Sequence, residues 1–450
     1  MRPEILARYG DQRIPRYTSY PAATRFAGEV DPETCRRWLA GVPRGALASL
    51  YLHIPFCRSM CWYCGCHTTV TRREAPVSRY LEALRGEIRL VADALPHRLE
   101  AAHVHFGGGT PTILQPRDFE GLMPLLRQRF ALRTDAEVAV EIDPRTLTAD
   151  MVAALARAGV TRASLGVQSF DPAVQHAINR VQGFEETQAA VGRLRAAGIR
   201  EISLDLLYGL PHQTVASCEE TVARCLELRP DRLSVFGYAH VPGFKPHQRR
   251  IDATMLPGAA ERHAQAEAIA AALVGAGYRR IGLDHYAAPG DAMARALDEG
   301  RLHRNFQGYT TDPADLLLGF GASAIGRLPQ GYVQNATSPG AYGRLIAAGS
   351  LATVRGCDLS PEDRLRAELI ERVMCEFRVD LAAVCRRHGR DAAELREEAA
   401  ALARLEADGL VRRRGDLVEV EAAARPLVRA VAACFDAYLA RSTARHAPAV

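Results

Sequence analysis

The sequence predicts an α/β fold with a parallel sheet, as one large barrel or an open sheet, together with a smaller additional domain. Six apolar or β-branched runs predict strands, at residues 49–56, 101–109, 136–144, 162–170, 201–210 and 231–239. Amphipathic helical patterns, such as residues 78–95 and 185–199, lie between these runs. Strands that alternate with helices are typical of repeated βαβ units. The 450 residues, 48% of them hydrophobic, are enough for a barrel and a smaller domain.

Composition limits the classes of function that are open to the chain. The net charge of +5 is small for this length and gives little support for nucleic-acid binding, which usually shows a stronger basic bias. No run reaches the roughly 18 apolar residues that suggest a membrane span. The first residues also lack the apolar segment of a secretory signal. We therefore expect no membrane association and a location in the cytoplasm.

Polar residues lie near the carboxyl ends of three predicted strands. Glu141, Gln168 and Asp205 each come a few residues before the end of a run. A buried carboxylate without a partner costs several kcal/mol, so these residues are unsuited to a dry core. In parallel barrels and sheets the chemistry collects at these strand ends. The three residues are candidates for a functional site; the alternative is an ordinary position at a strand end on the surface.

The pattern changes after the sixth run. Residues 258–276 predict one helix, residues 278–287 a short strand and residues 303–311 an ordered polar loop. From about residue 360 the chain is mostly helical, and residues 409–420 predict a β-hairpin. Helices followed by a hairpin indicate a small winged-helix-like module, which we expect to pack as a lid rather than to read DNA.

The N-terminal segment RIPRYTSYP, residues 13–21, has an unusual composition. Pro15 and Pro21 favour an extended backbone. Two tyrosines and Arg16 provide groups that stack and that pair with anions. Two interpretations stay open: an ordered arm that lies on the body of the protein, or an arm that covers a substrate.

Four cysteines fall within ten residues in the spacing C-x3-C-x2-C-x-C: Cys57, Cys61, Cys64 and Cys66. Crowded thiolates attract soft metals. A structural zinc site usually takes two separate knuckles, and the sequence has no second one. An iron–sulfur cluster is favoured, because three thiolates leave one iron of a four-iron cube open, as a reactive site requires. Zinc and simple buried thiols remain as alternatives.

The C-x3-C-x2-C spacing just after the first predicted strand resembles that of the radical S-adenosylmethionine enzymes. The resemblance implies that Cys57, Cys61 and Cys64 ligate a [4Fe–4S] cluster. It also implies that the open iron takes the amino and carboxylate groups of S-adenosylmethionine, and that Cys66 is a bystander. Tyr63 matches the family's aromatic position beside the cofactor adenine.

The segment GGGTPT, residues 107–112, ends the second predicted strand. Glycines let a ligand approach the backbone closely, although a simple turn uses them too. Within the resemblance, this segment meets the methionine end of the cofactor. Glu141 would then accept hydrogen bonds from the ribose hydroxyls, as carboxylates do in dinucleotide-binding folds.

A set of segments resembles one family in particular, the oxygen-independent coproporphyrinogen III oxidases. These segments are residues 15–21, 51–57, 64–66, 105–112, 166–171, 205–211, 282–287 and 303–311. The resemblance extends over essentially the whole chain. It implies a partial, three-quarter (β/α)6 TIM-like barrel with an N-terminal arm and a small, mostly helical C-terminal domain. The related haem chaperones lack the tyrosine-rich arm, the fourth cysteine and the polar 303–311 segment.

Four regions are expected on this basis. Residues 1–45 form an N-terminal arm that covers the site, and residues 46–290 form the partial barrel with the cluster and cofactor sites. Residues 291–358 supply a substrate-site loop and an extension of the barrel. Residues 359–450 form a helical, winged-helix-like C-terminal domain.

The resemblance implies one [4Fe–4S] cluster and two molecules of S-adenosylmethionine. The residues expected at the first molecule are Tyr51, Tyr63, Gly108 and Glu141. Those expected at the second are Gly109, Thr110, Gln168, Arg180, Asp205, Ala239 and Ile325. A ring with several carboxylates favours arginine and aromatic neighbours. The substrate candidates are Arg16, Tyr17, Tyr20, Arg304 and Phe306.

The implied reaction is the anaerobic oxidative decarboxylation of two propionate side chains of coproporphyrinogen III to vinyl groups. It gives protoporphyrinogen IX in haem biosynthesis, by way of a 5′-deoxyadenosyl radical made from S-adenosylmethionine. A reducing carrier such as a flavodoxin or ferredoxin is the expected partner, and a monomer the expected state. The alternatives are a haem-binding chaperone, a radical enzyme that methylates or opens a porphyrin ring, and a zinc protein.

Overall fold

The computed structural model describes residues 2–10 and 12–439. Its α-helices are α1 (Pro3–Gly10), α2 (Pro32–Ala40), α3 (Glu74–Ala94), α4 (Pro116–Glu120), α5 (Leu122–Arg129), α6 (Ala149–Ala158), α7 (Pro172–Ala177), α8 (Phe184–Ala196), α9 (Val215–Glu227), α10 (Ala259–Gly275), α11 (Ala292–Asp298), α12 (Pro339–Ala347), α13 (Pro361–Glu376), α14 (Leu381–Arg387), α15 (Arg396–Ala407) and α16 (Val428–Ala432). The predicted helix over 258–276 is α10.

The β-strands of the described residues are β1 (Leu47–Ile54), β2 (Phe56–Cys57), β3 (Thr69–Val70), β4 (Glu100–Gly108), β5 (Ala131–Ile142), β6 (Arg162–Gln168), β7 (Glu201–Tyr208), β8 (Arg232–Gly237), β9 (Arg279–Ile281), β10 (His285–Ala287), β11 (His303–Asn305), β12 (Gly308–Thr310), β13 (Leu316–Phe320), β14 (Ile325–Arg327), β15 (Gly331–Asn335), β16 (Thr353–Asp358), β17 (Arg378–Asp380), β18 (Val411–Arg414) and β19 (Leu417–Val420). The six predicted runs correspond to β1 and β4 to β8.

One large sheet organises the molecule. Its strand order is β16-β15-β14-β13-β1-β4-β5-β6-β7-β8-β10-β9. The strands from β13 to β8 in this order pair in parallel. Antiparallel strands extend the sheet at both edges. Because β16 and β9 end the sheet without pairing to each other, the barrel is open, which confirms the predicted α/β fold with a partial barrel.

The strands separate a polar barrel interior from an apolar outer layer. In β1, Leu50, Leu52 and Ile54 are buried in the main core, whereas Tyr51 and His53 alternate with them and hydrogen-bond to each other. Successive side chains of a strand point to opposite faces. Helices such as α3 place buried aliphatic residues in the same core. Each such buried side chain stabilises the fold by roughly 1.5–3 kcal/mol.

Residues 278–287, predicted as one strand, form two. Strands β9 and β10 pair antiparallel across a turn at Gly282, where φ is +55°. This left-handed backbone favours glycine. A Cβ at Gly282 would also collide with the ring of Tyr309. The turn therefore splits the apolar run, and the prediction of a single strand was wrong.

Residues 303–311, predicted as a loop, form the hairpin of β11 and β12. The turn uses Asn305, whose Oδ1 accepts a hydrogen bond from the Gln307 N–H at 2.9 Å, and Gly308, where φ is +123°. Strands of three residues are too short to show the alternation of apolar and polar residues that identifies a strand. This is why the sequence indicated only a polar segment.

The N-terminal segment packs on the C-terminal domain. Ile14, Tyr17 and Tyr20 share one core with buried residues of α13, α14, α15 and the β17-β19-β18 sheet. The predicted hairpin at 409–420 is β18 and β19, which turn at Gly415. The arm is thus an ordered part of the body, and a further role as a cover for substrate stays a prediction.

The division of the chain into four regions, at residues 45, 290 and 358, also stays a prediction. Residues 440–450, assigned to the last region, lie outside the described residues. None of the described helices combines the length and the apolar character needed to cross a membrane.

Candidate active site

The four clustered cysteines lie on a loop just past the carboxyl end of β1. Cys57 lies in β2, which pairs in parallel with β3. This pairing closes the base of the cysteine loop, defined here as residues 57–68. Cys61 is buried, Cys57 and Cys64 are half-buried, and Cys66 is exposed. The fold therefore brings the three predicted cluster ligands together on one short segment.

Two threonine hydroxyls reach the sulfur of Cys57. Thr68 Oγ1 donates to Cys57 Sγ at 3.2 Å and Thr110 Oγ1 at 3.5 Å. Burial raises the pKa of the Cys57 thiol, and the two hydroxyls act in the opposite direction because they stabilise the thiolate. Gly109 lies against the same strand, since a Cβ there would come within 2.6 Å of the Phe56 carbonyl. Gly109 and Thr110, predicted at the second cofactor, thus contact the cysteine loop.

Two arginines face Cys61: Arg180 is buried and Arg145 is half-buried. Arg180 Nη1 donates to Cys61 Sγ at 3.5 Å and Arg145 Nη2 at 3.6 Å. Asp143 pairs with both guanidiniums, at 2.7 Å from Arg145 and 3.6 Å from Arg180. The arginines favour negative charge on the sulfur. Sequence analysis missed Arg145 and Asp143, although their position at the end of the third predicted strand was an available signal.

Cys66 supports Cys64 as a hydrogen-bond donor. The backbone N–H of Cys66 donates to Cys64 Sγ at 3.4 Å. A side-chain hydrogen bond from Cys66, together with this backbone N–H, lowers the pKa of Cys64 to about 6. The same hydrogen bond raises the pKa of Cys66 above its ordinary value. Of the two thiols, Cys64 is therefore the one that ionises first.

Side chains from the segment after β8 hold the cysteine loop from outside. His247 Nε2 lies 2.7 Å from the carbonyl oxygen of Cys64, and Lys245 Nζ donates to the carbonyl of Cys66 at 3.0 Å. Both side chains also lower the pKa of Cys64, after the larger effect of Cys66. Sequence analysis gave these residues no role. The available signal was a polar segment directly after a predicted strand.

The glycine segment packs against Glu141. The Gly108 N–H donates to Glu141 Oε2 at 3.0 Å, and His105 Nε2 lies 3.2 Å from Oε1. A Cβ at Gly107 would come within 2.6 Å of Oε1 and would displace the carboxylate. Burial raises the pKa of Glu141, but the hydrogen bond from His105 and its charge outweigh burial, and the pKa falls below its ordinary value. An ionised carboxylate therefore lies at the end of β5.

Tyr51 and Tyr63 have different surroundings. Tyr51 stacks on His105 with ring centroids 5.7 Å apart, and its hydroxyl lies 3.0 Å from His53 Nδ1. Tyr63 packs against an apolar cluster that includes Tyr238. Burial raises the pKa of both predicted cofactor residues, so both phenols are neutral. Sequence analysis missed the two histidines, although alternation along β1 and β4 puts them on the face of Tyr51.

A cavity of about 1030 Å³ inside the barrel brings Glu141 and Asp205 together. Ser164 Oγ donates to Asp205 Oδ2 at 3.0 Å. Burial, and then the charge of Glu141, raise the pKa of Asp205. Gln168 ends β6 with a φ of +69°, and Arg180 lies beside Cys61.

Six of the seven residues predicted at the second cofactor, all except Asp205, do not line this cavity. Ala239 lines a different cavity with Arg16 and Arg304. Ile325 packs against the apolar cluster that contains Phe26. The predicted second set is therefore spread around the open end of the barrel.

The substrate candidates are distributed over several cavities. Tyr17 Oη donates to Asp436 Oδ2 at 3.1 Å, and Tyr20 Oη accepts from the Ala437 N–H at 3.1 Å. These contacts anchor the arm to the C-terminal domain. Phe306 packs in the same cluster as Ile325, whereas Arg16 and Arg304 share one cavity.

The cysteine loop suits an iron–sulfur cluster better than a single metal ion. Among residues 2–10 and 12–439, no group of three or more histidine, cysteine or acidic side chains is arranged to hold a metal ion. A single zinc ion binds its sulfurs at about 2.3 Å and so needs them almost in contact. A four-iron cluster binds each thiolate at a different iron and tolerates wider separation. Three cysteines on one loop, each supplied with donors, fit that cluster.

Comparison with known protein families matches both parts of the chain. Residues 51–225 match the radical SAM superfamily. This range covers the second half of β1, the cysteine loop and the strands β4 to β7. Residues 359–427 match the HemN C-terminal domain.

The relatives match over the full length. The chain is 58% identical over 450 residues to the oxygen-independent coproporphyrinogen III oxidase of Bradyrhizobium diazoefficiens, with all of both chains covered. It is 42% identical to that of Salmonella typhimurium, over 94% of this chain and 93% of the relative. The solved coproporphyrinogen III oxidase (HemN) of Escherichia coli, a radical SAM enzyme, superposes with a TM-score of 0.90 at 38% identity, covering 95% of this chain and 100% of the other. These matches confirm the resemblance seen in the motifs: the chain belongs to the oxygen-independent coproporphyrinogen III oxidase family of radical SAM enzymes.

Proposed function

We propose that the chain catalyses the anaerobic oxidative decarboxylation of two propionate side chains of coproporphyrinogen III, giving protoporphyrinogen IX in haem biosynthesis. One observation carries the proposal: three thiols lie on one loop at the open end of a partial barrel, and hydrogen-bond donors reach each of them. The full-length match to a relative of this activity supports the choice of substrate.

Cys57, Cys61 and Cys64 hold a [4Fe–4S] cluster in this proposal, because thiolates are the usual protein ligands of such clusters. When bound there, the cluster would supply the electron for the reductive cleavage of S-adenosylmethionine, the source of the radical that the proposed reaction needs. Thr68, Arg180 and the Cys66 N–H donate hydrogen bonds to the three sulfurs. Donors of this kind stabilise the thiolate over the thiol.

The first S-adenosylmethionine is bound by Tyr51, Tyr63, Gly108 and Glu141. Support comes from the charge state of Glu141, whose lowered pKa keeps it an acceptor. Its two known donors leave lone pairs free for hydroxyl groups, since a carboxylate offers about four acceptor positions. The neutral phenols of Tyr51 and Tyr63 provide apolar ring faces.

The second S-adenosylmethionine is bound by Gly109, Thr110, Gln168, Arg180, Asp205, Ala239 and Ile325. Support comes from Asp205, which shares the barrel cavity with Glu141, and from Arg180, which faces both Asp143 and Cys61. Equilibrium dialysis with labelled S-adenosylmethionine tests whether two molecules bind to each chain. Binding of one molecule per chain at saturation contradicts it.

The proposal also includes the electron donor, the oligomeric state and the location of the enzyme. A reduced flavodoxin or ferredoxin supplies the electron, and the enzyme works as a monomer in the cytoplasm. Light scattering of the purified chain tests the monomer, and a dimer mass rules it out. Turnover that is supported by a chemical reductant but by neither reduced carrier contradicts the proposed partner.

The test of the reaction is an anaerobic assay of the reconstituted protein with coproporphyrinogen III, S-adenosylmethionine and a reductant. The expected product is lighter than the substrate by two molecules of carbon dioxide and four hydrogen atoms. A product heavier by methyl groups indicates a methyltransferase instead. Tight haem binding without any product indicates a haem chaperone.

A further inference from the structure

A second cavity, of about 840 Å³, lies between the barrel, the arm and the C-terminal domain. Arg16 of the arm, Arg262 of α10 and Arg304 of β11 line it, and it is called the arginine cavity here. Arg280 and Arg429 also line it. Arg280 faces Glu267 at 3.8 Å, and Arg429 donates to the Ile14 carbonyl at 3.2 Å.

Positive charge exceeds negative charge among the described residues of this lining. Asp284 is the one acid among them, and it lies 3.9 Å from Arg304. Burial raises the pKa of Asp284, but the charge of Arg304, the hydrogen bond and charge of His285 and the charge of Arg16 together outweigh burial. They lower the pKa to about 2, so the carboxylate is ionised. The cavity lining therefore contains the guanidiniums of Arg16, Arg262 and Arg304 but a single carboxylate, that of Asp284.

Arg304 has unused hydrogen-bond donors although it is buried. Its side chain is 5% exposed, and its Nε and Nη1 atoms have no hydrogen-bond partner among the described residues. Its Nη2 donates to the Arg16 carbonyl at 3.4 Å. A buried donor that stays unpaired costs roughly 1–3 kcal/mol, and more when it is charged. An anion in the cavity would remove this cost.

Arg262 of α10 lies at the same cavity. Its guanidinium lies over the Tyr208 ring at 5.6 Å from the centroid. Burial, and then the charge of Arg16, lower the pKa of Arg262 below its ordinary value. Arg16 itself is exposed and donates to the Gly237 carbonyl at 3.4 Å. These contacts place the guanidiniums at the cavity and leave their positive charge uncompensated.

The arginine cavity adjoins the barrel cavity that contains Glu141 and Asp205, because Phe236 lines both. We propose that the arginine cavity binds carboxylate groups of the tetrapyrrole, so that another propionate of the same molecule is positioned toward the barrel cavity. The proposal rests on the proposed function for the identity of the ring. Guanidinium groups bind carboxylates through paired, charge-assisted hydrogen bonds, which fix orientation as well as adding affinity.

The experiment measures binding and turnover separately. Coproporphyrin III, the fluorescent oxidised form of the ring, is titrated into the wild type, Arg262→Gln, Arg16→Gln and Arg262→Lys. The matched control is Arg224→Gln, since Arg224 also lies over an aromatic ring, that of Phe184 at 5.2 Å, but outside the cavity. The KM values for coproporphyrinogen III and S-adenosylmethionine are measured in parallel.

We expect both glutamine variants to weaken coproporphyrin III binding about tenfold or more, because each loses charge-assisted hydrogen bonds. Arg262→Lys should lie between them and the wild type, and the control should match the wild type. The KM for coproporphyrinogen III should rise while that for S-adenosylmethionine stays unchanged. Arg16→Gln keeps the test valid if Arg262→Gln fails to fold, since Arg16 is exposed on the arm.

Wild-type affinity in both glutamine variants overturns the proposal, as does a loss confined to S-adenosylmethionine binding. The proposed function fails separately, when the wild type forms no protoporphyrinogen IX. In that case a selective loss of coproporphyrin III binding in the arginine variants still supports the cavity as a carboxylate site.

Discussion

The cysteine loop and the arginine cavity handle charge in opposite ways. At the cysteine loop, Arg145 and Arg180 each face Asp143 as well as the Cys61 sulfur. In the arginine cavity, three guanidiniums share Asp284. The first region thus holds cations that are already paired with an acid. The second keeps positive charge uncompensated, which is the state expected of a site that takes up an anion.

The two regions also differ in how the chain builds them. The three thiols lie within eight residues and need only one loop. Arg16, Arg262 and Arg304 come from the arm, a helix and a hairpin that are far apart in sequence. A local motif therefore encodes the first region, whereas tertiary packing assembles the second.

The largest effect is expected at the cysteine loop. Cys61→Ser removes one of the three proposed thiolate ligands, so the variant should lose the cluster absorbance and all product formation after anaerobic reconstitution. The measurement is iron content together with the visible spectrum. Cys357→Ser is the control, since Cys357 is a half-buried thiol outside the loop. Full iron and an unchanged spectrum in Cys61→Ser contradict the ligand assignment.

Glu87 is a buried carboxyl whose hydrogen-bond partners are all neutral, so its pKa reports the effect of burial without that of an ion pair. Glu87 accepts hydrogen bonds from Tyr342, Asn335 and the Gly321 N–H, and burial raises its pKa to about 7. A raised pKa favours the protonated folded form, so its stabilisation is complete below pH 4.5, the ordinary pKa, and is lost as pH rises through 7. A shift of this size corresponds to about 3 kcal/mol.

The thermal midpoint of the wild type should therefore fall between pH 5 and pH 8 more than that of Glu87→Gln. The control is Glu82→Gln on the same helix, where Glu82 is exposed and pairs with Arg85. It should keep the pH dependence of the wild type. Parallel profiles for the wild type and Glu87→Gln would falsify the assignment.

Glu141→Gln tests the carboxylate beside the cysteine loop. We expect S-adenosylmethionine to bind about tenfold more weakly, because hydrogen bonds to a charged acceptor contribute about 1.5–3 kcal/mol each. Iron content should not change, since Glu141 contacts Gly108 and His105 rather than a thiol. Calorimetric titration of the reconstituted protein measures the affinity. The control is Glu137→Gln, on the same strand, and equal affinities in the two variants argue against the ribose role.

The smallest effect is expected for Cys66→Ser. Cys66 is the exposed member of the four thiols, and its backbone N–H, which serine keeps, donates to Cys64. Iron content and absorbance should stay within error of the wild type. A loss as large as that of Cys61→Ser means that the fourth cysteine is a ligand and that the separation of roles within the loop is wrong.

Sequence alone predicted the strands whose apolar runs are long enough to be recognised locally. The runs at β1 and β4 to β8 are long enough, and helices of clear amphipathic pattern separate them. It did not predict β13 as a further parallel strand beside β1, or the antiparallel strands at the two edges. The paired residues of β1 and β13 lie 268 residues apart. Local periodicity therefore gives no signal of this pairing.

The residues of the site also divide into those that a local motif predicts and those that only the tertiary structure brings together. The cysteines, Gly108 and Glu141 were predicted because each belongs to a short motif or a strand end. His247 and Lys245 were missed, since their contacts with the cysteine loop bridge more than 170 residues. Sequence suggested Arg16 and Arg304 by charge alone, and only the fold brings them together.

The most direct test of the account is spectroscopic. The reconstituted, reduced protein is examined by electron paramagnetic resonance before and after S-adenosylmethionine is added. The account predicts a change in the cluster signal in the wild type, because three cysteine ligands leave one iron open to the cofactor. A signal that does not change, at full iron content and saturating cofactor, contradicts it.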